Sequence, residues 1–394
     1  MTAGGSNPFE ALFNQLGRML STEGPVNWEL ARQFALWTAA EGEPESNVDP
    51  LERMRLEELV RVADLHIADV TGLATSSTGR PVTVRPVGRG DWAVATLEAW
   101  RPLLSALTQA LAGPAPAPEA NGEDQPFGAE GGWGQMLGSI MPGLQAAFLG
   151  MQCGSMVGSL ALEAFGQYDL PVPRPPGDLL LVVAENVARF ASDWSLPADD
   201  VRLWICLSEV AHHAVLIRPH VGARLQELLI AYVSAFDPSA ASLEDRLADL
   251  DPSDPESLQR ALGDPGALIS EIQSDQQRGL LPPLEALVAA VEGYVDHVVD
   301  VAGGRLIGSH GPLTEAFRRL RVERGQGGRM VERLLGLELR QAQYERGAAF
   351  VRGVVERAGE DGLARLWSAP EHLPTPAEVD APGLWLERIS YSGG

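Results

Sequence analysis

The sequence predicts a mainly α-helical, multi-helix protein with a small β component. Three observations carry that class. Apolar residues recur at three- and four-residue spacing through most of the chain. Strand-like patterns occur at two places only, residues 81–87 and 179–183. One segment, residues 201–218, is apolar around nearly its whole circumference, the mark of a helix buried among other helices.

The elements follow in order. Trp28 to Ala40 and Leu51 to Val70 read as helices entered through polar or proline-containing turns. Pro81 to Val87 alternates apolar and polar residues and is expected to be a strand; Asp91 to Leu111 is helical again. Residues 113–133 open on a Pro-, Ala- and Gly-rich run without core-forming side chains. They are expected to be a flexible linker or loop between an N-terminal helical region, 1–112, and a second unit, 134–394.

From Gly131 to Leu162 there is no charged residue, and a buried helix is expected. Its Gln residues argue against lipid, while Gly150, Gly154 and Gly158 at four-residue spacing would let another helix approach closely. Asp169 to Gly177 is an extended, proline-rich connection and Leu179 to Val183 a buried or half-buried strand. A short helix over Asn186 to Trp194 and a long one from near Val201 follow.

Asp-Pro pairs and surplus carboxylates mark an acidic insertion of short helices over residues 237–276. Leu284 to Ala302, Leu313 to Arg324 and Gly328 to Ala358 are three further helices. Trp367 and Trp385, among Pro-rich turns, should dock the C-terminal stretch onto the body.

Composition narrows the chemistry. The chain has 394 residues, 45% of them hydrophobic, enough for a core and too apolar for a disordered acidic polymer. All 30 basic residues are Arg, so lysine Schiff bases and P-loop lysines are excluded. A net charge of −23 repels nucleic-acid phosphates and anionic membranes, and neither is expected as a partner. Cys153 and Cys206 lie in apolar stretches and read as buried thiols. The first residues lack a basic region followed by an apolar core, which points to a cytoplasmic protein.

Glu209 is the single carboxylate between Arg202 and Arg218, so it and the neighbouring His212 and His213 should lie inside the protein or line a cavity. A buried carboxylate needs a partner. Ser208-Glu-Val-Ala-His212 is one residue away from the His-Glu-x-x-His zinc motif, in which two imidazoles on one helix face hold the ion and the Glu is general base. Glu292-Gly-Tyr-Val-Asp296 lies on a later charge-poor helix. It fits the Glu-x-x-x-Asp arrangement, in which the Glu is a third ligand and the Asp, one turn on, orients a ligand His.

With these motifs the chain resembles the zincin-like metallopeptidases of high-GC bacteria, one branch of which is associated with deazaflavin coenzyme biosynthesis. The resemblance runs from Gly24 to Ile389. It includes Val26 to Glu29, Gly166 to Pro171, Leu203-Trp204, His212-His213, Arg218 to Val221, Glu292 to Asp296 and Leu335 to Leu339. It implies a multi-helix zincin-like fold, with the zincin-like domain at 134–394. It also implies a zinc cofactor held by His212 and Glu292, Glu209 as base, and Asp296 supporting the ligands; His213 reads as a satisfied core histidine or as a support to them.

Ser208 stands where the family pattern has its first ligand His, and a hydroxyl replaces imidazole poorly. Either another residue substitutes, or zinc is held weakly, or catalysis is lost and the protein is a binding or scaffold module. If active, it would hydrolyse a peptide or amide, with an extended substrate pairing beside the Leu179–Val183 strand. A buried structural pair of Glu209 and His212 is the plainer alternative. Glu338, His297, Tyr294 and His220 are reserve candidates, Tyr294 either facing the pocket or packed in the core. The Arg-rich stretch from Arg318 to Arg333 fits either a solvated face paired with the acidic insertion or a contact for an acidic protein partner.

Overall fold

In a computed structural model, residues 24–41, 45, 47–112, 131–236, 274–322, 326–337 and 340–391 are described. Among them are fourteen α-helices and two strands. The first part runs α1 (Trp28–Ala39), α2 (Pro50–Thr71), β1 (Thr83–Val87), α3 (Arg89–Ala99), α4 (Arg101–Ala112) and α5 (Gly131–Ala161). Then come β2 (Leu179–Val183), α6 (Ala184–Asp193), α7 (Ala198–Leu216), α8 (Pro219–Ser234) and α9 (Asp275–Leu306). The chain ends with α10 (His310–Val322), α11 (Gln326–Leu335), α12 (Gln341–Leu363), α13 (Pro376–Asp380) and α14 (Pro382–Tyr391). Mainly helical with one small sheet is the class the periodicity predicts. No helix among the described residues is long and apolar enough to cross a membrane.

Helix α7 is the hub. It is buried along almost its entire length and packs against α2, α6 and α9. A fork-shaped ion pair ties it to α2: Arg202 Nε and Nη2 donate to the two Glu52 oxygens at 2.6 and 2.8 Å. Asp200 caps the turn before α10 by accepting from Ser309 N and Oγ at 3.0 and 2.6 Å.

The glycine stripe of α5 is used as its spacing suggests. A Cβ at Gly154 would strike the Ala31 carbonyl of α1. One at Gly158 would lie 2.6 Å from Thr38 Cβ and 2.8 Å from Ala35 O. Backbone therefore packs on backbone, and Asn27 N even donates to Ala146 O across the two helices at 2.9 Å. Cys153 and Cys206 are buried free thiols, and burial pushes both up to about 12.

The described residues differ from the sequence expectations in three places. The predicted Asp91–Leu111 helix is two helices meeting at Trp100, because Pro102 lacks the N–H that a continuous helix would use. The predicted Gly328–Ala358 helix is likewise two. Gly336 turns left-handed at φ 67° there, with the Tyr232 ring so close that a Cβ would not fit. Helix α9 starts earlier than expected, at a capping box made by Ser274 and Gln277, and tolerates Pro282 and Pro283 near its beginning. Contacts also run between the residues on either side of the expected linker at 113–133. β1 pairs in parallel with β2, from Thr83 opposite Leu179 to Val87 opposite Val183, and α1 packs on α5. Residues 113–130 and 237–273, including nearly all of the acidic insertion, lie outside the described residues.

The C-terminal stretch docks as expected. Trp367 and Trp385 are fully buried, and Trp385 Nε1 donates to His372 O at 2.7 Å. Gly154→Val is expected to destabilise the protein by about 1–3 kcal/mol through overpacking, read as a lower urea midpoint. Gly177→Ala, where a Cβ meets nothing within 4 Å, should leave the midpoint in place.

Candidate functional site

Helix α7 delivers Ser208, Glu209, His212 and His213, and α9 delivers Glu292. The i, i+4 spacing puts Ser208 and His212 on one face. His212 Nδ1 lies 2.9 Å from the Ser208 carbonyl oxygen and 3.5 Å from its hydroxyl. A carbonyl can only accept, so Nδ1 carries the proton and Nε2 is the free base. Nε2 lies 3.3 Å from Glu292 Oε1. A lone pair facing a carboxylate calls for a cation between them, a proton or a metal ion. Burial pulls the His212 pKa down, but Glu292 more than offsets this and holds it above the ordinary value.

Glu209 points elsewhere. Its carboxylate accepts from Gln167 N at 3.0 Å and Tyr168 N at 3.2 Å. A Cβ on Gly166 would run into it, 2.7 Å from Oε2, so only glycine fits. Burial, then nearby Asp169, pushes the carboxyl up to about 8. His212 and the two N–H donors pull the other way and lose.

The turn that holds Glu209 is itself held. Asp169 Oδ2 accepts from Phe165 N and Gly166 N at 2.5 and 3.0 Å, Trp92 Nε1 donates to Gly166 O at 2.7 Å, and Arg174 Nε donates to Gln167 O at 3.1 Å. Tyr168 leaves this turn to lie over His212, ring planes 19° apart, with its hydroxyl 2.9 Å from His213 Nδ1. His213 Nε2 lies 3.4 Å from Asp178. Asp178 is held well below the ordinary carboxylate range by hydrogen bonds from Thr78, Ser77 and Ser76, despite its desolvation. Burial outweighs Asp178 and holds the His213 pKa below the ordinary value; the neutral ring donates from Nε2 to Asp178 and accepts the Tyr168 proton at Nδ1. It supports the Tyr168 ring beside His212 and does not reach Glu292.

Ser208, Glu209, His212 and Glu292 together line a cavity of about 370 Å³, which also takes in Tyr168, Arg321 and Tyr344. The remaining expected residues are placed differently. Asp296 does not orient a histidine; it takes both terminal nitrogens of Arg321 at 2.6 Å, and that guanidinium lies 4.2 Å over the Tyr344 ring. His297 faces Glu360 at 3.1 Å, and Tyr294 packs edge-on against Trp367 with centroids 5.5 Å apart. Neither they nor His220 line the cavity. Glu338 and Arg324 lie outside the described residues. In the Arg-rich stretch, Arg318 and Arg319 pair with Glu315 on their own helix.

The expectation of a substrate pairing with β2 meets a closed edge. One side of the strand carries β1. On the other, Val183 N donates to Phe165 O at 2.8 Å, Leu181 N to the Gln167 side chain at 3.3 Å, and Gly166 bridges Val182. Tyr168, Arg321 and the Gln167 N–H are site features that spacing arguments missed. The signal lay in Gly166 and Asp169 bracketing a tight turn between a charge-free helix and a proline-rich connection.

Zinc can be tested against these donors. Two ligands at about 2.0–2.1 Å from a tetrahedral ion stand about 3.3 Å apart, and His212 Nε2 and Glu292 Oε1 have that separation. A catalytic zinc takes three protein ligands. Among the described residues no group of three His, Cys, Asp or Glu side chains could hold a metal ion. Ser208 adds nothing, because its hydroxyl sits on the Nδ1 side of the ring. The described residues fit two positions of a zinc centre and not the third.

A family profile described as zincin-like metallopeptidase matches residues 26–386. Among solved structures, the chain is similar to the crystal structure of a candidate hydrolase with a novel fold from Chloroflexus aurantiacus. The two are 25% identical, with 93% of this chain and 100% of that chain covered, at a TM-score of 0.60. No curated protein matches.

Glu209 yields a pH prediction. Between the ordinary 4.5 and about 8, the folded protein keeps the proton that the unfolded chain has lost. Stability from this group is thus full at the acidic end and falls as pH rises through that window. Glu209→Gln should flatten the slope of urea midpoint against pH there. An unchanged slope would place the titration on another group.

Proposed function

The chain belongs to the zincin-like metallopeptidase family, and from that premise we propose that its cleft binds a peptide or amide group beside an incomplete zinc centre. The observation that carries this reading is the His212–Glu292 pair at 3.3 Å, with the Ser208 hydroxyl turned to the far side of the imidazole. The cleft takes Ser208, Glu209 and His212 from one buried helix and Glu292 from another. Among the described residues it has no third donor that would hold zinc tightly.

Four-ligand zinc sites are worth about 10–16 kcal/mol, so one missing donor costs on the order of 3 kcal/mol, roughly a hundredfold in affinity. On this reading the protein recognises an amide-bearing ligand, and hydrolysis is lost or residual.

A second reading, working peptide or amide hydrolysis, is favoured by one observation. The Glu209 carboxyl sits at about 8, close to where an acid–base catalyst is most effective at neutral pH. Glu209 is also within the cavity lining.

Zinc binding separates the two. Purified protein should hold zinc well below one equivalent and bind added zinc weakly. Ser208→His should tighten binding by roughly a hundredfold or more, and His212→Ala in that background should abolish the gain. One tightly bound equivalent in the unaltered chain would overturn the incomplete centre and restore the hydrolase reading.

A further inference from the structure

The cavity that holds His212 and Glu292 is walled by aromatic rings to a degree that the composition does not lead one to expect. Only 6% of the chain is aromatic. Yet Phe165, Phe190, Trp194, Trp204 and Phe317 all line this one space. They arrive from separate places: the turn after α5, α6 and its end, α7, and α10. The rings pack on each other, with Phe190 and Phe317 centroids 4.7 Å apart, Trp204 stacked on Phe317 at 5.4 Å, and Trp194 at 5.9 Å from Phe190. Trp194 is the half-buried member of the group.

Two further features bear on what fits. Trp100 lines the same cavity, is 2% exposed, and its Nε1 has no hydrogen-bond partner. A buried N–H left unpaired costs about 1–3 kcal/mol, a cost that a ligand acceptor would remove. Carboxylates also outnumber guanidiniums along the lining, and Arg321 is already taken by Asp296. An anionic ligand is therefore disfavoured. The volume, about 370 Å³, suits one residue with its flanking amides and not a folded partner.

We propose that the ligand is an uncharged amide bearing an aromatic side chain, either one aromatic residue of a peptide or an aromatic amino-acid amide. Its ring packs among Phe190, Trp194 and Phe317, and one of its carbonyl oxygens accepts from Trp100 Nε1. This rests on the amide-binding reading of the cleft and adds the class of side chain.

The test is calorimetric titration of the full chain with N-acetyl-L-phenylalaninamide, N-acetyl-L-alaninamide and N-acetyl-L-phenylalanine. The first should bind at least about tenfold tighter than either of the others. Trp194→Ala, at a half-buried position, should lower affinity for the phenylalaninamide by about fivefold or more and leave alaninamide binding alone. Trp100→Phe keeps a ring while deleting the orphan donor. It should weaken both amides and leave the melting temperature unchanged or raised. Equal binding of the two amides would overturn the aromatic class while leaving the amide cleft intact. Tightest binding of the free acid would overturn the uncharged class. Binding of none of the three would overturn the amide-binding reading itself.

Discussion

The cleft depends on one buried carboxyl group. Glu209 lies in the interior of α7's packing, where an unpartnered carboxylate would be strongly unfavourable. Its partners are two backbone N–H groups, those of Gln167 and Tyr168. That choice brings a turn of backbone down onto the central helix, and Gly166 is required because any side chain there would collide with the carboxyl. The same turn closes the free edge of β2, receives the Trp92 indole N–H and sends Tyr168 over His212. Strand, turn and hub helix are thus locked through a single acidic side chain. It is the residue that the zinc motif would have assigned to catalysis.

Around that lock the charged groups are arranged by guanidinium geometry. A chain without lysine places its inner positive charges on planar forks. Arg202 grips Glu52 between α7 and α2, Arg321 grips Asp296 beside the cavity, and Arg174 donates to the turn that holds Glu209. The Asp296 pairing has a consequence for the site. The carboxylate one helical turn after Glu292 serves a cation and not a histidine. The role of holding an imidazole in place passes to backbone, through Ser208 O for His212, and to Asp178 for His213.

The helical class, the strands at 83–87 and 179–183, and the burial of α7 were legible in the sequence because each depends on local periodicity. The glycine stripe of α5 was legible for the same reason, since four-residue spacing makes one helical face. Helix ends were less so. Gly336 and Pro102 interrupt periodic stretches, and a break is decided by how the flanking helices pack as much as by the residue. In the site, Ser208, Glu209, His212 and Glu292, singled out by the spacing of the two motifs, line one cavity. The partners that Glu209 and Asp296 take were not legible there, while Tyr294 packs against Trp367, one of the two placements the sequence left open.

The sequence by itself determined which residues are polar within apolar helices, and hence which must find partners inside. It also determined that a serine stands at the position of a ligand histidine. Only the tertiary structure decided who those partners are. Glu292 meets His212 across 80 residues of chain, Glu209 meets the Gln167 N–H across 42, and five aromatic rings from separate elements converge on one cavity. Spacing reports which face of a helix a side chain occupies. The neighbour across that face is set by how whole helices dock, and docking is an outcome of total burial and backbone fit that no local pattern encodes.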